Sequence, residues 1–317
     1  MVEETKVKDF KEKKPAKENI PTLKKGVYLF VSYDLVNSTK LKTLCLPHEW
    51  QELVDNFYKK TEDLASNPLY ATIWKYIGDE VIVYKYIPDP GTLCETIDNA
   101  FIALRELNIF IRNWESQSTI HRNLLAVKCA TWCALIDNES QEANRCILLR
   151  VSTINSRAKQ SEQYVPDFIG PDIDIGFRIA KYGGRNRMVL SSDLALLVHK
   201  CSQAPNERQQ RAYCEQVVKK MRIISFRQLK GVWHDRLYPI VWYEEKSWDE
   251  ISFEYDEHYS SEIIKELVDS DRKSLKEIST LETIYSDVGM PKKVDVMTDK
   301  LQKKSQPRIV GKSGHIK

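Results

Sequence analysis

The sequence predicts a mixed α/β fold of the α+β kind, a ferredoxin-like βαββαβ palm with a mainly antiparallel sheet. Three features carry that expectation. Residues 26–35, GVYLFVSYDL, form an apolar, β-branched and aromatic run that suits a strand buried on both faces. TIWKYIGDEVIVYKYI is two short apolar runs broken by Gly78-Asp79, a dipeptide that favours a tight antiparallel turn. Two stripes at helical spacing separate these runs from each other and from a further apolar run at Leu124 to Ile136.

Taken in order, Trp50, Leu53, Val54, Phe57, Tyr58 and Leu64 recur every three or four residues and predict the first long helix. Leu93, Ile97, Phe101, Leu104, Ile111 and Trp114 predict the second. Residues 137–165 are polar and carry no clear period. Gly170-Pro171 opens a helix, with proline where its missing N–H costs nothing, and Gly183-Gly184 closes it. MVLSS, SSDLALLVHK, MRIISFRQLKG and RLYPIVWYEE add strand, helix, strand and strand.

The expected organisation is a flexible charged arm at 1–24, one catalytic-sized domain at 25–245, a charged helical extension at 246–289 and a basic, unstructured tail at 290–317. The extension's stripe is Ile263, Ile264, Leu267, Leu275 and Ile278. A net charge of +3 over 317 residues points to no obligatory polyanion, so no nucleic-acid partner is expected. Seven cysteines without a C-x-x-C pair read as reduced thiols, Cys129 and Cys133 among them as core residues. The charged start lacks a signal-peptide core and no run of about 18 apolar residues occurs, so a cytoplasmic protein with no membrane contact is expected.

Two aspartates carry the chemistry. Asp34 stands where the first strand runs out and Asn37-Ser38-Thr39 leads to a helix. Alone it also reads as a helix cap. In a palm, however, the tip of the central hairpin lies beside the end of the first strand, so Asp79 should approach Asp34. Two bare carboxylates repel, and a pair of metal ions keeps both ionised. Gly-Asp-Glu alone also reads as an ordinary turn.

With these blocks in hand, the chain resembles the class III nucleotide cyclases. Members have a first strand ending in aspartate, as SYDLVNST does, a Gly-Asp hairpin some forty residues on, as KYIGDEV does, and a later D-x-x-G…N-x-x-x-R block, here DFIGPDIDIGFR. Aligning Asp167 and Gly170 brings Arg178 onto the family's catalytic arginine without a gap, and FRQLKG is similar to its late lysine-glycine phosphate contact at Lys230-Gly231. The resemblance implies cyclisation of a nucleoside triphosphate with release of pyrophosphate, two Mn2+ or Mg2+ ions at Asp34, the adjoining Leu35 and Asp79, and a homodimer with active sites at its interface. It implies that Lys75 and Asp167 read the base, that Arg178 stabilises the transition state, that Lys230 contacts phosphate, and that Lys128, standing in for a family arginine, binds substrate. On an isolated helix Arg178 also reads as an i,i+4 ion-pair partner of Asp174.

Three departures stand out. Asp174 occupies the catalytic position where asparagine orients the ribose, and VKCATWCA replaces a smaller strand motif. Leu35-Val36-Asn37-Ser38-Thr39 follows Asp34 in place of glycine-phenylalanine-threonine. FVSYDLVNST is similar to the first strand of the Pycsar pyrimidine cyclases of bacterial anti-phage defence. That likeness implies UTP or CTP as substrate and a cyclic pyrimidine nucleotide that activates a separate effector. Bulky Tyr33, Trp74, Tyr76 and Trp132 are expected near a pocket for a small base. An adenylate cyclase and a catalytically inactive cyclase-like module are the alternatives.

Overall fold

In a computed structural model the described residues are 23–117, 124–139, 143–152, 162–185, 187–204, 208–244, 274–289 and 291–305. Four strands and two long helices build the palm. Strand β1 (Gly26–Val36) leads through the short helix α1 (Ser38–Leu44) into α2 (Pro47–Ser66). The hairpin β2 (Thr72–Ile77) and β3 (Glu80–Ile87) follows, then α3 (Pro90–Gln117) and β4 (Ala126–Ile136). Strand β7 (Met188–Leu190), helices α5 (Ser192–Gln203) and α6 (Arg208–Lys219), and strands β8 (Met221–Gln228) and β9 (Leu237–Tyr243) extend the sheet. Its order is β2-β3-β1-β4-β7-β9-β8, antiparallel throughout except for the β4–β7 pair.

The predicted βαββαβ order and mainly antiparallel sheet are present, and β1 lies between β3 and β4 with both its faces covered. Alternation along β1 sorts its side chains. Tyr33 lies on the helix side, where its hydroxyl donates to the Ala100 carbonyl of α3. Phe30 lies on the other side, stacked on Trp132 of β4 with centroids 5.6 Å apart. Ser32 and Asp34 follow Phe30 at the two-residue period and therefore share its side.

The polar stretch left unassigned from sequence holds a separate hairpin, β5 (Arg145–Ser152) with β6 (Glu162–Ile169), followed by α4 (Pro171–Ile179) and a 3-10 turn ending at Gly183. Its aromatic foot seals the second side of the sheet: Phe168 packs against Phe30, Trp74 and Tyr84 at 4.9–5.3 Å. Helix α4 rests directly on Trp132. A Cβ at Gly176 would meet the indole at 2.2 Å, so only glycine permits that approach.

Two expectations change at the ends. The arm at 1–24 and the stripe at Ile263, Ile264 and Leu267 lie almost wholly outside the described residues. The basic tail, expected to be unstructured, contains helix α8 (Pro291–Ser305), which follows α7 (Ser274–Asp287). Its buried Val294, Met297 and Leu301 recur at three and four residues, so a narrow apolar stripe docks the helix despite its lysines. All seven cysteines are free, and Cys129 and Cys133 are buried. Among the described residues no helix is long and apolar enough to cross a membrane.

Candidate active site

The register of β1 decides where the acidic residues meet. Asp34 lies opposite Glu80 of β3 on one side and Lys128 of β4 on the other. The turn residue Asp79 precedes Glu80, and its carbonyl accepts a 3.4 Å hydrogen bond from the Leu35 N–H. Gly78 makes the turn possible at φ 64°, and the Tyr58 hydroxyl donates to its carbonyl. Asp34 and Asp79 are therefore neighbours because adjacent strands align them.

Their electrostatics follow from that proximity. Burial raises the Asp34 carboxyl above its ordinary value; Lys128, whose Nζ sits 2.7 Å from Oδ2, opposes the shift, and Asp79 adds to it. Glu80 is also raised, first by burial, against a hydrogen bond from the Ser32 hydroxyl and with a further push from Asp34. Lys42 of α1 lies 4.0 Å from Asp79. Three carboxylates thus share Lys128 and a distant Lys42, an arrangement that a divalent cation would relieve.

The donor set suits magnesium or manganese. Among the described residues no group of three or more His, Cys, Asp or Glu could hold a metal alone. Ions of this kind are held by one or two carboxylates plus substrate phosphates and water rather than by an all-protein cage. Asp34 and Asp79 would be the carboxylates available for such an ion. Leu35 has a buried side chain, so only its backbone carbonyl could join them.

A second charged pair stands on the hairpin arm. Lys75 Nζ lies 2.6 Å from Asp167 Oδ1, joining β2 to β6, and 4.6 Å from the Trp74 ring. The β2–β3 register shifts between Ile73 and Lys75, so Trp74 is the extra residue and buries itself in the aromatic foot. The third cluster joins α4 to the loop after β8. Arg178 Nε donates to the Lys230 carbonyl at 2.6 Å, and Nη1 reaches the Asp174 backbone carbonyl at 3.4 Å. The arginine thus bonds across to the loop, in place of the ion pair with the Asp174 carboxylate that helix spacing allowed. Asp174 itself is exposed.

No protein-family model matches this chain, and no curated protein matches it. Among solved structures, the adenylyl cyclase CyaB from P. aeruginosa aligns with a TM-score of 0.50 at 14% identity, covering 70% of this chain and 95% of that one. The guanylate cyclase domain of RhGC from Catenaria anguillulae aligns at 0.46 and 9% identity, over 69% of this chain and 96% of that one. Adenylate cyclases from Trypanosoma brucei align at 0.43 and 11%, over 72% and 92%. The fold is that of a nucleotide cyclase domain.

Within this cyclase fold some expected residues sit differently from the sequence reading. Lys128, expected among the substrate-binding residues, has its ammonium engaged by Asp34. Tyr33 points to the helix side and cannot line a pocket on the face that carries Asp34, because strand alternation turns it away. Trp132 is buried beneath α4, while Tyr76 is exposed and donates to Glu62. Glu80, Ser32 and Lys42 were missed. Glu80 could have been found from pairing alone, since any residue directly opposite Asp34 must share its surroundings.

Proposed function

We propose that this chain is a nucleotidyl cyclase that converts a pyrimidine nucleoside triphosphate, UTP or CTP, into the 3′,5′-cyclic monophosphate and pyrophosphate. The carrying observation is the convergence of Asp34 and Asp79 at the end of β1, with repulsion that one lysine does not relieve. The 3′-hydroxyl oxygen forms a bond to the α-phosphorus while the bond from that phosphorus to the bridging oxygen breaks, and the hydroxyl proton leaves to solvent. Asp34 and Asp79 would hold two Mn2+ or Mg2+ ions, which supply an acidified hydroxyl and neutralisation of the triphosphate.

The protein's own groups complete the site. The planar fork of Arg178 suits the equatorial oxygens of the reacting phosphate, and Lys230-Gly231 suits the outer phosphates. Lys75 and Asp167 offer a donor and an acceptor side by side. That pair fits cytosine, uracil with the roles exchanged, or adenine, so adenylate cyclase is the alternative. The crowding of Trp74, Phe168 and Phe177 near the pair favours the smaller ring. Exposed Ile147, Leu149, Ile169 and Phe177 give a second copy a surface to bury, in keeping with a homodimer whose two active sites combine residues of both protomers. The product would act as a second messenger on a separate effector in anti-phage defence.

The test is a four-nucleotide assay with Mn2+ and mass-spectrometric identification of products. A cyclic pyrimidine nucleotide from the wild type and none from Asp79→Ala is expected. ATP as sole substrate would remove the pyrimidine reading, and unchanged turnover in Asp79→Ala would remove the metal assignment.

A further inference from the structure

The phosphate-side cluster is carried by two elements that have little hold on each other. Helix α4 bears Arg178, and the loop after β8 bears Lys230; one 2.6 Å hydrogen bond joins them. That loop is also conformationally costly, because Trp233, His234 and Asp235 adopt φ values of 52°, 53° and 62° in succession, left-handed backbone that side-chain-bearing residues avoid. Something else must keep both elements in place.

The two C-terminal helices touch both. From α8, Lys293 reaches Asp172 in the first turn of α4 and lies 3.2 Å from Asp193 of α5. Both aspartates are buried, with side chains 1% and 5% exposed. Asp172 is further pinned through its N–H and its carboxylate by Asn144. Lys293 thus pairs with two buried carboxylates beside the start of the Arg178 helix. From α7, Tyr285 packs edge-on against Trp233 with centroids 5.0 Å apart and shares a 2.9 Å hydroxyl bond with Ser192. The Asp287 carbonyl at the end of α7 accepts a 3.0 Å bond from Arg236.

We infer that α7 and α8 are a buttress for the cationic half of the site, with Lys293 a positioning residue for Arg178 through Asp172 and Tyr285 a positioning residue for Lys230 through Trp233. The contacts of α7 and α8 with Asp172, Trp233 and Arg236 fall on the phosphate side of the site. The helices act by holding α4 and the strained loop at the separation that lets Arg178 bridge them. The inference rests on the cyclase reading only where turnover is the readout.

The experiment compares wild type, Lys293→Met, Lys293→Arg and the neutralised triple variant Lys293→Met/Asp172→Asn/Asp193→Asn by amide hydrogen exchange and by steady-state turnover. Lys293→Met should speed exchange about tenfold or more in residues 171–179 and 229–236, and lower kcat about tenfold with a smaller change in KM, because Arg178 acts on the transition state. Lys293→Arg, which keeps the cation, should restore both. Should Lys293→Met fail to fold, the triple variant decides by the same readouts, since it removes the tie without stranding buried charge. Native exchange and native kcat, or lost kcat without faster exchange in those segments, would overturn the inference. If the wild type cyclises no triphosphate, the proposed function falls while the exchange comparison still decides the buttress.

Discussion

Asp34 and Asp79 ride on one strand and on the turn of its neighbour's hairpin, whereas Arg178 and Lys230 ride on a nine-residue helix and a loop. The acidic half is aligned by a continuous ladder of backbone bonds, eight β1–β3 partners ending at Asp34↔Glu80. The cationic half is aligned by one arginine hydrogen bond and by contacts with helices far along the chain. Geometry set by register survives loss of any one side chain; geometry set by a few side chains does not.

That difference can be broken at several points. The largest effect is expected at the acidic half: Asp34→Asn should abolish Mn2+ binding in isothermal titration and cut cyclisation by roughly 10³-fold, with an unchanged sheet. Next, Arg178→Lys should leave Mn2+ binding intact and lower kcat by about 10²-fold, since an ammonium cannot reproduce the planar fork. If Arg178→Lys weakened metal binding as much as it slowed turnover, the two halves would not be separable. A smaller change is expected from Lys75→Met with Asp167→Leu, which should reduce the preference among nucleoside triphosphates roughly tenfold, read as ratios of kcat/KM.

The smallest effect concerns stability and sharpens the electrostatic side of the comparison. Asp34 has a folded pKa raised above its ordinary 3.8, mainly by burial and against Lys128. Between 3.8 and that raised value the folded chain holds more protons than the unfolded one, so metal-free stability falls as pH rises through the window. Removing one source of repulsion with Asp79→Asn should therefore stabilise the metal-free protein at neutral pH by about 1 kcal/mol or less, while activity is lost. Thermal melts with and without Mn2+ check this: the metal should stabilise the wild type and not the variant.

Legibility tracks the same divide. The apolar run of β1 and the Gly78-Asp79 turn were readable because burial and turn chemistry are local, and register then delivered Asp79 to Asp34. The orientation of Tyr33 followed the two-residue period and was still misjudged, because being close in sequence to Asp34 is not being on its face. Hairpin β5–β6 was hidden, since a two-stranded ribbon outside the main sheet carries only weak alternation. Helix α8 was hidden by its lysines, which mask a stripe of three buried apolar residues.

By itself the sequence determined the palm, its central hairpin and the pairing of two aspartates, since each depends on the order of strands and the period of their side chains. Only the tertiary structure decided that Lys128 neutralises Asp34, that Arg178 bridges to the Lys230 loop, and that Lys293 ties the last helix to the first turn of α4. The last two contacts join groups dozens of residues apart on elements that share no backbone ladder, whereas Lys128 faces Asp34 across the β1–β4 register. No local period announces them, because they are selected by pairing between groups that the fold brings together, in the case of Lys293 with carboxylates that water barely reaches.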